Sequence, residues 1–234
     1  IMGAYPPGST FKTTQALTFL QEGIINTGTM YPCSGGFSYR GLHVGCHAHP
    51  SPLSLIPAIA TSCNGYFCWG LYYMIGARQK YGSVQKAMNT WRDYMVSMGF
   101  GYQLGIDLPG EKRGMIPNAQ YYDKAYRRSW NGLTIISISI GQGEVTATPL
   151  QIANLGATIA NRGYFVTPHV VKEIEGESID SIYTTRRYTK VDKGHYEEVV
   201  QGMRSAVLGG TCRTANIPEL EICGKTGTAQ NHGK

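Results

Sequence analysis

Tyr5-Pro6-Pro7-Gly8-Ser9-Thr10-Phe11-Lys12 decides how the rest of the chain is read. Pro7 and Gly8 set a turn, and the run that follows, residues 9–21, predicts a helix closed by Gly23. Within that helix Ser9 and Lys12 stand three positions apart and share a face. A serine hydroxyl is a weak nucleophile until a base takes its proton. A lysine shielded from water can be that base, because burial disfavours its charged form. The first helical turn also leaves backbone N–H groups free to receive an oxyanion. Taken alone, a serine and a lysine at this spacing describe many ordinary surface helices.

Two later stretches give the pair its meaning. Ser62-Cys63-Asn64 follows a candidate helix capped by Ser54, and Lys225-Thr226-Gly227-Thr228 lies near the far end of the chain. S-x-x-K, an S-x-N element and K-T-G, in this order, form the signature set of penicillin-binding proteins and serine β-lactamases. Further matching stretches are Gly105-Ile106-Asp107-Leu108-Pro109, Ile140-Gly141-Gln142-Gly143, Thr146-Ala147-Thr148-Pro149-Leu150-Gln151 and residues 225–231. On these the chain resembles, over nearly its whole length, the transpeptidase domain of class B penicillin-binding proteins. It is most similar to the elongation-type penicillin-binding protein 2 group.

That resemblance implies a fold, a chemistry and a setting. The fold is α+β of the penicillin-binding and serine β-lactamase kind. A five-stranded antiparallel sheet is flanked by helices, beside an all-helical lobe. Residues 1–234 form a single transpeptidase domain, truncated at both ends, with a membrane anchor and pedestal upstream and the last sheet strands downstream. The chemistry is acyl transfer on the D-Ala-D-Ala stem peptides of peptidoglycan in cell-wall elongation. Ser9 is the nucleophile, Lys12 its base and Ser62 a proton relay. Lys225 is a fixed positive charge, and Asn64, Thr226, Gly227 and Thr228 bind substrate. The backbone N–H groups of Ser9 and Thr228 form the oxyanion cradle, and β-lactam antibiotics acylate Ser9. No cofactor is needed for catalysis. The setting is the inner membrane, with the catalytic domain on the periplasmic side and a membrane glycosyltransferase of the elongation machinery as partner. Two alternatives share these motifs: a serine β-lactamase and a non-catalytic β-lactam sensor domain. The E-x-x-L-N stretch of class A β-lactamases is missing, and Asn64 stands where class D enzymes have valine.

Bulk properties agree with an enzyme domain. With 42% hydrophobic and 15% charged residues over 234 positions, there is ample material for one core. The net charge of +6 is scattered without a basic block, which argues against a nucleic-acid partner. No run approaches the roughly 20 apolar residues of a membrane span. The six cysteines are too few for a disulfide scaffold. Cys33, Cys46, His47, His49 and Cys63 crowd between the first two motifs, a soft-ligand set suited to tetrahedral zinc. Some elongation-type members of the family carry zinc here, with the middle residue of the S-x-N element as a ligand. The expected ligands are therefore Cys33, Cys46, His49 and Cys63, with His47 as the substitute for His49. The site's role would be structural; a Cys33–Cys46 disulfide or simply buried thiols are the alternatives.

Along the rest of the chain, loop with short strands is expected over 24–46, a buried apolar helix over 66–75 and an amphipathic helix over 84–98. A long irregular crossing should fill 99–131, and 133–140 could be strand or helix. Thr148-Pro149 should start a helix reaching Ala160, and 196–208 another. Strand is expected over 164–174 and again from Leu220 into Lys225.

Overall fold

The computed structural model describes residues 1–228; Ala229, Gln230 and Asn231, part of the last matching stretch, lie outside the described residues. The chain begins with a 3₁₀ turn, Gly8–Phe11, which runs directly into α1, Lys12–Gln21. The expected helix is thus split. Ser9 sits in the tight turn and Lys12 at the first position of the α-helix. Every residue of α1 from Lys12 to Leu20 is buried. That makes α1 the central post of the core. Phe11, Leu17 and Phe19 pack with Phe67, Leu71, Met88, Trp91 and Met95. Its buried polar positions are satisfied locally, as hydroxyls of Thr14 and Thr18 bond back to the carbonyls of Phe11 and Thr14. Gln15 accepts from Trp91 Nε1 at 2.8 Å.

A short antiparallel hairpin follows. β1, Gly36–Tyr39, pairs with β2, Leu42–Gly45, in the register Phe37 opposite Val44 and Ser38 opposite His43. Arg40 and Gly41 between them both have positive φ, the two-residue turn whose twist matches a hairpin. Next come α2, Leu55–Ala60, and α3, Asn64–Gly76, joined by the three residues 61–63. α4, Arg78–Tyr81, leads into α5, Val84–Ser97, whose Met88, Trp91 and Met95 face the core. The crossing 99–131 is not wholly irregular: Asn118 caps a short helix, α6, Ala119–Ala125, through the amide of Tyr121. Residues 133–140 settle as a 3₁₀ turn, Ile136–Ile140.

α7, Pro149–Ala160, starts where Thr148-Pro149 says it should. Thr148 and Gln151 form a reciprocal capping box. The Gln151 amide also reaches the carbonyls of Tyr102 and Arg113, tying the crossing to the helix start. Strand over 164–174 shrinks to β3, Tyr164–Phe165, paired with β4, Arg187–Tyr188; then α8, Lys193–Gly209, packs on α2.

Helices with small antiparallel sheets make the class α+β, as expected. The five-stranded sheet is not formed by the described residues, which hold two separate two-stranded pairs. Residues 220–225 are not strand either. A strand needs a ladder, and here the backbone turns to a helix instead: Gly224 N–H bonds Met203 O of α8 at 3.1 Å, and Ile222 O accepts from Arg204. No helix among the described residues is long and apolar enough to cross a membrane.

A backbone bond ties the Ser9 turn to a neighbouring segment. Gly8 N–H donates to Gly141 O at 2.9 Å, fastening the Ser9 turn to the end of the 136–140 turn. Gly141 has φ +71°, and a Cβ there would run into the Gly8 carbonyl and Phe11. Gly141→Ala is therefore expected to destabilise the fold by about 2 kcal/mol or more in denaturant unfolding. An unchanged midpoint would show that this contact carries little.

Candidate active site

Three remote segments meet at the N-terminal end of α1. Lys12 is fully buried, so its amine must be met by protein. Its Nζ donates to Asn64 Oδ1 at 2.6 Å and to Ser62 O at 2.7 Å, and lies 3.1 Å from Ser62 Oγ. Lys225 Nζ approaches the same Ser62 hydroxyl from the other side at 2.7 Å and also reaches Thr226 O at 3.0 Å. One serine oxygen thus bridges two amines. Burial pushes Lys12 down to about 8. Lys225 is pushed to about 7, first by burial and then by repulsion from Lys12. Two ammonium groups around one hydroxyl are mutually unfavourable, so near neutral pH the pair sheds a proton as a unit.

One arrangement that satisfies every group has Lys12 neutral in the state able to react. A neutral Lys12 donates two protons, to Ser62 O and Asn64 Oδ1. Its lone pair then accepts from the Ser62 hydroxyl, whose oxygen in turn accepts from a charged Lys225. Every partner is used once. While both are charged Lys225 is pushed lower than Lys12, about 7 against about 8, but its repulsion from Lys12 vanishes when Lys12 is neutral.

Ser62 is held in this position by the way α2 ends. Ser62 N–H bonds Ile59 O at 3.1 Å and Cys63 N–H bonds Ala58 O at 2.9 Å, the paired bonds of a Schellman turn. The residue at its left-handed position is usually glycine; here it is Ser62, with φ +55°. The chain accepts a strained serine where glycine fits better, and the strain aims its hydroxyl between two lysines.

Ser9 opens onto a cavity of about 230 Å³ shared with Ser62, Asn64, Thr226 and Thr228. Among the described residues Lys12 makes its bonds to Ser62 and Asn64 and none to Ser9, while Ser9 and Ser62 line the same cavity. Asn64 is more engaged than a pure substrate binder: its amide nitrogen donates to Gly45 O at 2.7 Å while its oxygen serves Lys12. The lack of a side chain at Gly227 has a use beyond substrate access. A Cβ there would lie 2.9 Å from Thr10 Cγ2, so glycine lets the 225–228 segment close against the Ser9 turn. Thr211, His47 and Gln142 also line the cavity. Thr211 accepts from Thr226 Oγ1 at 2.9 Å, and no local signal marks it in the sequence.

The cysteine and histidine cluster assembles as expected. Sγ of Cys33, Cys46 and Cys63 and a ring nitrogen of His49 all lie within 4.8 Å of one another. All six cysteines are free, so the Cys33–Cys46 disulfide is not formed. His47 stays outside the set and faces the cavity. The start of α3 points its amides at the sulfurs. Asn64 N–H meets Cys46 Sγ and Tyr66 N–H meets Cys63 Sγ, each at 3.3 Å. Gly65 sits so close to Cys33 that a Cβ would fall 2.8 Å from its sulfur. His49 Nδ1 bonds Pro50 O at 2.7 Å, and its Nε2 faces Cys46 Sγ at 3.4 Å. The Cys46 thiol is pulled down to about 4 by its hydrogen bond with Cys63, with the Asn64 amide and His49 adding, while Cys63 rises as the donor. Three sulfurs, one of them readily a thiolate, and an imidazole suit a soft tetrahedral cation.

Comparison with known proteins agrees with the geometry. The family described as penicillin binding protein transpeptidase domain matches residues 1–234. The peptidoglycan D,D-transpeptidase MrdA of Acinetobacter baumannii is 34% identical, over 98% of this chain and 34% of that protein. Pseudomonas aeruginosa PBP2 superposes with a TM-score of 0.82 at 29% identity, covering 99% of this chain and 52% of that one. A chain from a peptidoglycan synthase complex that coordinates polymerization and crosslinking superposes with a TM-score of 0.79 at 32% identity, covering 99% of this chain and 37% of that one. The chain spans about a third of the length of the curated relatives it matches.

The left-handed Ser62 can be tested without reference to activity. Ser62→Gly and Ser62→Ala both remove the hydroxyl, but only alanine puts a Cβ at φ +55°. The glycine variant should be the more stable of the two by about 1 kcal/mol in equilibrium unfolding. Equal stabilities would mean that the turn relaxes.

Proposed function

The chain belongs to the penicillin-binding protein transpeptidase family, and from that premise we propose that it is the catalytic domain of a peptidoglycan D,D-transpeptidase of the elongation type. The observation that carries this reading is the Ser62 hydroxyl held between the Lys12 and Lys225 amines, in the cavity that also receives Ser9. Ser9 Oγ attacks the carbonyl of the penultimate D-alanine of a stem peptide. Its proton passes by way of Ser62 to neutral Lys12, and the oxyanion is received by the Ser9 and Thr228 amides. The same relay returns a proton to the departing D-alanine amine, leaving an acyl group on Ser9. Lys225 keeps a positive charge beside the Ser62 oxygen and favours the substrate's terminal carboxylate. Thr226 and Thr228 line the place where the peptide lies, and Asn64 has a second amide N–H for its backbone. A β-lactam enters by the same route, because its ring amide mimics the dipeptide bond.

A structural zinc ion is part of this reading, held by Cys33, Cys46, His49 and Cys63. It would fix the start of α3 and with it Ser62 and Asn64, and take no part in the chemistry. The domain, residues 1–234, would work on the periplasmic side of the inner membrane beside a membrane glycosyltransferase. The relative solved within a peptidoglycan synthase complex supports that partnership.

Two measurements test the proposal. The rate of β-lactam acylation should rise about tenfold per pH unit up to a midpoint between about 7 and 8, where the lysine pair sheds its extra proton, and then level off. Lys12→Ala should lower it by at least about 100-fold. A pH-independent rate would remove Lys12 as the base. Separately, metal analysis should find one zinc per chain and none in Cys46→Ser; metal-free wild-type protein would reduce the cluster to buried thiols.

A further inference from the structure

Another cavity, also of about 230 Å³, shares no lining residue with the one at Ser9. Three segments build it. α5 supplies Arg92, the crossing supplies Gly101, Arg113 and Gly114, and the entry to α6 supplies Asn118 and Tyr121. We propose that this cavity is a phosphate-binding site, where Arg92 and Arg113 hold a phosphate group and Asn118 and Tyr121 complete its hydrogen bonds. The residues of the acyl transfer take no part in it.

The polar lining is one-sided. Two guanidinium groups, an amide and a phenol all have N–H or O–H groups to give, and no carboxylate lines the cavity. The acidic neighbours in sequence are engaged elsewhere. Asp93 pairs with Lys190, and the Glu111 carboxylate accepts the N–H groups of Leu104 and Gly105. Among the described residues neither arginine has an ion-pair partner. Arg92 Nε donates to Ile116 O at 3.4 Å, and its terminal nitrogens are left over for a ligand. Asn118 Oδ1 accepts the Tyr121 N–H at 2.8 Å, so its Nδ2 is the atom still on offer. Local acceptors are used up as well. The carbonyls of Arg113, Met115 and Ile116 are taken by Gln151, Thr146 and Arg92.

Two uncompensated arginines lining one concave space favour an anion. A guanidinium is a planar fork that meets phosphate oxygens in pairs. A phosphate group has acceptors enough for two forks, an amide and a phenol, whereas a carboxylate brings only two oxygens. The backbone beneath is set before any ligand arrives. Met115 and Thr146 exchange both backbone bonds, at 2.8 and 3.0 Å, and Gln151 Nε2 holds Arg113 O at 3.0 Å. Gly114 turns the chain at φ +64°, where a Cβ would run into the Thr146 carbonyl. A bound phosphate would thus join α5 to the crossing across a prepared gap.

The experiment titrates full-length protein with inorganic phosphate in a calorimeter at constant ionic strength, with acetate as the carboxylate control. One phosphate per chain should bind. Arg92→Gln and Arg113→Gln should each weaken binding at least about tenfold, and Tyr121→Phe, which removes a single hydroxyl, about threefold. All three should keep the wild-type circular dichroism spectrum and label with a fluorescent penicillin at the wild-type rate. Glycerol phosphate and a soluble short-chain phosphatidic acid, each competing with inorganic phosphate, separate two sources of the group. Equal displacement supports a free phosphate ligand, and stronger displacement by the lipid supports a headgroup. No saturable binding of phosphate, equal affinity for acetate, or binding unchanged in both arginine variants would overturn the assignment.

Discussion

Burying an amine inside a protein is unfavourable unless the surroundings supply both hydrogen-bond partners and a reason to give up charge. The fold is arranged around that constraint at Lys12. Full burial pushes the amine toward its neutral form, and the three oxygens around it come from a single stretch, residues 62–64. α1 therefore cannot shift relative to the α2–α3 junction without stranding a polar group in the core. Lys225 adds a second amine on the far side of the same hydroxyl, which makes the 225–228 segment depend on that junction as well. Catalytic competence and the packing of these segments rest on one oxygen atom.

The cysteine and histidine cluster extends this dependence. Asn64 links both centres: its backbone N–H serves Cys46 and its side-chain oxygen serves Lys12. Cys63 likewise caps α3 with its sulfur while its own amide closes the turn that holds Ser62. Anything that orders the four ligand atoms orders the relay beside them. A structural ion here would act on the reaction only through position, which is why its proposed role needs no chemistry of its own.

Much of this was legible in the chain, and the parts that were not share a cause. The capping pair Thr148-Pro149 and the stripe of Met88, Trp91 and Met95 are local signals, and they placed α7 and α5 closely. The motif set named Lys12, Ser62 and Lys225, whose side chains meet, and Ser9, which lines the same cavity as Ser62; the ligand set named the four residues that now cluster. What local reading missed depends on contacts between distant segments. Residues 220–225 alternate like a strand but bond to α8, and Thr211 matters only because Thr226 reaches it. The left-handed backbone of Ser62 is invisible in composition, since glycine is what that position ordinarily signals.

The central claim is that a neutral lysine, reached through Ser62, makes Ser9 a nucleophile. Its most direct test is mass spectrometry of the protein after brief exposure to a β-lactam, with the adduct mapped by proteolysis. The account predicts one intact antibiotic per chain, attached to Ser9 and persisting long after excess drug is removed. An adduct on another residue, no adduct at all, or rapid release of hydrolysed drug would contradict it.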